Sequence, residues 1–160
     1  MPKATSKPAG YHSITPSIMF DDASEAIEFY KRAFGAQEVM RMPGPGGRIM
    51  HAEIKIGDSV IMLGDIIPGM PGRSARTLGG SPMGLHIYVE NVEALFKRAI
   101  AAGASQTMPL ADQFWGDRYG KVADPFGLEW GLAEHVKDVT EEEMKRAAQQ
   151  YSQQMQQGMH

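Results

Sequence analysis

A chain of 160 residues with 42% hydrophobic and 22% charged content is long enough for one globular domain with a buried core. Its net charge of −3, with no basic stripe interleaved with aromatics, argues against a nucleic-acid partner. The lack of cysteine removes disulfides, thiolate nucleophiles and sulfur-ligated zinc, while the lack of a signal-like or membrane-length apolar run leads us to expect a cytoplasmic, soluble protein with no membrane partner.

Residues 1–11 are polar, contain two prolines and read as a flexible arm. A strand is predicted over 14–20, punctuated by Asp21-Asp22, and a helix over 24–34. In that helix Ala26, Ile27, Phe29, Tyr30, Ala33 and Phe34 fall at i, i+3, i+4 spacings before Gly35 closes it. A second strand over 37–42 runs into the loop PGPGG (43–47). Over 50–56, Met50, Ala52, Ile54 and Ile56 alternate with His51, Glu53 and Lys55, the pattern of a half-buried strand. Gly57-Asp58 turns the chain into an apolar strand over 59–63. The Gly-, Pro- and Ser-rich stretch 64–83 reads as a long linker, a mobile lid or an arm crossing to a partner.

The pattern then restarts, with a strand over 85–91 and a helix over 92–103 closed by Gly103. Strands follow over 105–110, as a pair within 114–127, and over 128–134. Thr140 and Glu143 form a capping box that opens an exposed helix running into a frayed tail. Aligning Glu25 with Glu93 superposes Gly35 on Gly103 and Ala36 on Ala104, with Gly57 and Gly127 at matching turns. The chain is therefore a βαβββ unit used twice. Its parts are an arm (1–11), one α+β domain (12–135) and a C-terminal helix and tail (136–160). Within the domain, module one spans 12–64, the linker 65–83 and module two 84–135.

These two units, with HSITPSIMF, AIEFYKRAFGA, MHAEIKIGDSVIML, LHIYVENVEALFKRAIAAGA and QFWGDRYGKVADPFGLEW, resemble the vicinal oxygen chelate superfamily, in its glyoxalase/bleomycin-resistance type and PhnB-like branch. The resemblance implies curved mixed sheets around a cavity, a dimer of identical chains and, in metal-dependent members, ligands on the first and last strands of each module. Those positions fall here on Thr15, Ile61, Gly84 and Gly131, a set with no good metal donor. The resemblance thus implies a small-molecule-binding protein without a cofactor. The alternative is a lyase, isomerase or dioxygenase holding Zn, Fe, Ni or Mn through a relocated set of His51, Glu53, His86 and Glu129.

Strand alternation sends Thr15, Ser17, Met19, His51, Glu53, Ile61, Leu63, His86, Tyr88, Glu90 and Glu129 toward the cavity. His51 and Glu53 can form a base and its orienting partner, and His86 is a third candidate for proton transfer. Tyr88, Trp115, Arg118 and Glu129 are expected to touch the ligand, the aromatics by stacking and Arg118 by pairing with an anionic group. Trp115 packing internally and Arg118 bridging to Asp117 or Asp124 is the competing expectation. Asp124-Pro125-Phe126-Gly127 reads as a turn.

Overall fold

The computed structural model describes residues 4–159; the first three residues of the expected arm and the last residue of the tail lie outside them. Module one runs β1 (Ser17–Phe20), α1 (Ala23–Phe34), β2 (Gln37–Pro43), β3 (Ile49–Ile56) and β4 (Ser59–Asp65), with a single 3-10 turn at Pro45–Gly47. After α2 (Ala75–Leu78), module two repeats the order as β5 (Leu85–Tyr88), α3 (Val92–Ala102), β6 (Ser105–Asp112), β7 (Asp117–Ala123) and β8 (Glu129–His135), and α4 (Glu141–Gly158) closes the chain. Each module forms one four-stranded sheet, ordered β1-β4-β3-β2 and β5-β8-β7-β6. In each, the first strand pairs parallel to the last and the others pair antiparallel.

The caps explain where the helices start. Asp22 accepts from the Glu25 amide at 2.9 Å and Asn91 from the Ala94 amide at 3.1 Å, each satisfying a donor that a first turn leaves free. Asp22 and Asn91 are therefore equivalent, and the pairing of Glu25 with Glu93 slips by one residue there. The cause is that α3 has 11 residues and α1 has 12, so one alignment cannot match both ends. The buried Asp65 carboxylate adds a tie, accepting from the Ala23 and Ile49 amides at 2.6 Å each. At the other end Gly35 adopts φ 68°, a conformation costly for any residue with a Cβ.

One face of each sheet packs on its own helix, and α1 packs against α3. The joint is reinforced by Arg98 of α3, whose Nε donates to the Arg32 carbonyl at 2.6 Å and Nη2 to the Lys31 carbonyl at 3.1 Å. Cation donors suit the last carbonyls of a helix, which no intrahelical amide reaches. Rings from both halves fill the core: Trp130 lies 5.2 Å from Tyr30 and 4.7 Å from Phe34, centroid to centroid. Asp124, buried in the β7–β8 turn, locks that cluster. Its Oδ2 accepts from Tyr30 Oη at 2.6 Å and Trp130 Nε1 at 2.8 Å, and its Oδ1 from the Phe126 and Leu128 amides at 2.9 and 3.0 Å. The expected turn at 124–127 is thus also the bolt between the modules.

Two expectations change. Strand β1 begins at Ser17 and not at residue 14, leaving Ile14 87% exposed. The stretch 64–83 is not a free lid, because its centre is held down. Ser74, itself buried, donates to Asp21 at 2.9 Å, and Arg76 donates to the Pro125 carbonyl at 2.8 Å. The Thr140–Glu143 capping box is present, and α4 touches the body through Tyr151 and Phe114, whose centroids lie 5.4 Å apart.

Candidate functional site

A cleft of about 510 Å³ opens between the modules. The approach to β1 (Ile14, Pro16), the β3–β4 turn and strand β5 bound it, and Phe34, Leu95 and Trp130 line it. Its walls are largely apolar, with Leu85, Ile87 and Val89 on one side, while His12, Asp58, Ser59, His86 and Tyr88 supply polar groups. A volume of this size suits a small organic molecule, for which pockets run about 300–1,000 Å³.

His86 sits where the cleft meets the open face of the module-two sheet, the face turned away from the helices. Its ring stacks on Tyr119, with centroids 5.2 Å apart and planes 18° apart, and lies 4.7 Å from the Tyr88 ring. Gly131 on the neighbouring strand makes room for it, since a Cβ there would come within 2.7 Å of His86 Nδ1. Burial pushes the His86 imidazole below its usual range, against the pull of the Asp117 charge, and so favours the neutral ring.

Asp117 anchors the same face. Its carboxylate, buried in β7, accepts from Tyr88 Oη at 2.8 Å and Trp115 Nε1 at 3.1 Å, and meets His135 Nδ1 at 2.8 Å. Burial raises its carboxyl, but the donors from His135, Tyr88 and Trp115 outweigh that and hold it below the usual carboxylate range. The hydrogen bond to Asp117 also raises the Tyr88 hydroxyl. On its far side His135 Nε2 meets Asp138 at 2.8 Å, and Asp138 and Asp117 together raise the imidazole above its usual value. No motif marks this group, because its members come from residues 88, 115, 117 and 135; Asp117 was expected only as a partner for Arg118, and His135 was not singled out in the sequence.

The other expected residues scatter. His51 Nε2 lies 3.0 Å from Glu53 Oε1, as their same-face placement predicts, and the Tyr11 hydroxyl also donates to Glu53. This pair occupies the open face of module one, opposite Met42 and Met40 of β2, and does not line the cleft. Glu129 is taken by Lys121 and Thr107, each at 3.0 Å, which hold its carboxyl below the usual range. Arg118 alternates away from Asp117 and Tyr119 and pairs with Asp112 at 2.8 Å and Glu93 at 3.2 Å, so it makes no bridge to Asp117 or Asp124 and does not line the cleft. Trp115 reaches Asp117 and does not reach the cleft.

The last-strand position of module one also needs correction. Ser17 pairs with Met62 as His86 pairs with Gly131, so Met62 is the equivalent of Gly131. Ile61 and Leu63 point to the helix side and are buried. The count from Gly57 missed because Gly57 lies three residues before Val60, whereas Gly127 lies two before the equivalent Glu129. Thr15, Met62, Gly84 and Gly131 contain no strong metal donor. Among the described residues no three His, Asp or Glu side chains gather to hold a metal ion, so His51, Glu53, His86 and Glu129 do not form a site within one chain. A divalent metal does not fit this donor set.

The model of the Glyoxalase/Bleomycin resistance protein/Dioxygenase superfamily matches residues 11–132. An uncharacterized protein of Mycobacterium tuberculosis is 45% identical over 138 residues, covering 84% of this chain and 81% of that one. The structure of an Arabidopsis thaliana gene product superposes with TM-score 0.63 at 28% identity, over 78% of this chain and 99% of its own. The fold alone is shared with the Bacillus cereus PhnB protein, at TM-score 0.59 and 21% identity over 77% of this chain and 99% of that one.

Proposed function

Because this chain belongs to the Glyoxalase/Bleomycin resistance protein/Dioxygenase superfamily, we propose that it binds a small organic molecule without a metal, as a homodimer in the cytoplasm. The intermodule cleft carries this reading: about 510 Å³, apolar walls, and His86 and Tyr88 placed at one side to orient a polar group. The unsuitable donors at the family's ligand positions favour binding over metal-assisted catalysis. Dimerisation is supported by Val39, Met40, Met42 and Met50, large apolar side chains that one chain leaves exposed along β2 and the start of β3.

A thermal-shift screen of chemically diverse small molecules, run on wild type and Leu95→Trp, tests the reading. A true ligand at 100 times its Kd stabilises the protein by about 2.7 kcal/mol, which for a chain of this size is roughly 5–10 °C. The indole of Leu95→Trp occupies the cleft, so the shift should vanish there. A ligand shift that survives in Leu95→Trp, or stoichiometric binding of Zn(II), Fe(II), Ni(II) or Mn(II) to the purified chain, would overturn it. Light scattering should give about twice 17.5 kDa, and a strictly monomeric mass would remove the dimer.

A further inference from the structure

The two halves place different groups at equivalent positions. In module two the turn between the paired Ala123 and Glu129 drives Phe126 into the body. Its ring, only 6% exposed, meets Phe20 at 5.6 Å, Phe29 at 5.7 Å and Tyr30 at 5.9 Å. In module one the turn between the paired Lys55 and Val60 carries Gly57-Asp58 at its tip, and both are exposed. No ring descends from it.

The wall facing each turn is otherwise built alike. Counting from the helix caps Asp22 and Asn91, Ile87 stands where Ile18 does, Val89 where Phe20 does, and Leu95 where Ala26 does. Ile18, Phe20 and Ala26 are buried; Ile87, Val89 and Leu95 are only half-buried and line the cleft. The cleft is therefore the space that a counterpart of Phe126 would close. Phe34 and Trp130 add aromatic surface to it, and rings prefer such offset or edge-on neighbours.

Resting on the reading above that this cleft binds a small organic molecule, we infer that its ligand carries one aromatic ring, seated where module one lacks a Phe126, and a neutral hydrogen-bonding group directed at Ser59 and His86. The Asp58 carboxylate at the tip disfavours an anionic ligand. A neutral imidazole can donate or accept, which suits a hydroxyl or amide.

The test is a ¹H–¹⁵N titration of the full chain with benzyl alcohol, hexan-1-ol and benzoate. Benzyl alcohol should shift the Ser59, Val89 and Leu95 amides saturably, with hexan-1-ol at least tenfold weaker and benzoate without saturation. Asp58→Phe returns a ring to the tip and should abolish those shifts while keeping or raising the melting temperature. If that variant fails to fold, Leu95→Trp should give the same loss. Hexan-1-ol or benzoate binding as well as benzyl alcohol at the same amides overturns the aromatic assignment and leaves small-molecule binding standing. Benzyl alcohol shifting only other amides, or binding unchanged in a folded Asp58→Phe, also overturns it. If neither these probes nor any compound of the thermal screen moves the cleft amides, both readings fall.

Discussion

Replacing Asp124 by asparagine tests the bolt between the modules. The wild-type carboxylate accepts four hydrogen bonds, from Tyr30, Trp130 and the Phe126 and Leu128 amides. An asparagine keeps one oxygen, and so at most two of these, and turns an N–H₂ group toward the other two donors. Each buried donor left unpaired costs about 1–3 kcal/mol, so the loss is about 2–6 kcal/mol. Against a total stability of about 5–15 kcal/mol that is a large fraction. With about 2–4 °C of melting temperature per kcal/mol, Asp124→Asn should melt roughly 5–20 °C below wild type by far-UV circular dichroism. Asp112→Ala is the control: it removes an exposed, solvent-screened ion pair with Arg118 and should leave the melting temperature close to that of wild type. Asp124→Asn melting within about 2 °C of wild type would refute the four-bond account.

Two further outcomes are expected. His135 gains two carboxylate partners on folding, so its folded pKa lies above its unfolded value near 6.5. Its contribution is full below that unfolded value and is lost as pH rises through the folded one. The melting-temperature gap between wild type and His135→Asn should therefore narrow from pH 6 to pH 9, and a gap that widens would contradict the bridge. Gly131→Ala places a methyl in the space of the His86 ring and should swing that ring outward. Imidazole NMR should then show His86 titrating back toward its usual value; an unchanged titration means the ring does not depend on that glycine.

The repeat, both helices and the His51–Glu53 pair were legible because each rests on residues close together in the chain. The Thr140–Glu143 box was legible for the same reason. Ile61 was misplaced because a strand's facing flips with a single residue, and Gly57 stands one residue farther from Val60 of β4 than Gly127 does from the equivalent Glu129 of β8. Asp117 was read only as a partner for Arg118, because its three actual donors come from three separate segments, a convergence that only the closed sheet creates. The stretch 64–83 looked unstructured from its glycines and prolines, yet two hydrogen bonds from Ser74 and Arg76 pin it. Composition reports backbone freedom and is silent about such anchors.

The joint made by Arg98 and Asp124 bears on how two chains could associate. Guanidinium on helix-end carbonyls, and a buried carboxylate shared by Tyr30 and Trp130, couple each module to its own covalent neighbour. Trading modules between chains would first require breaking those bonds and exposing the shared aromatic core. Association should therefore proceed by addition of intact chains, at a rate set by concentration. For the proposed dimer, mixed species of tagged and untagged protein should form as fast as the dimer dissociates, without waiting for unfolding.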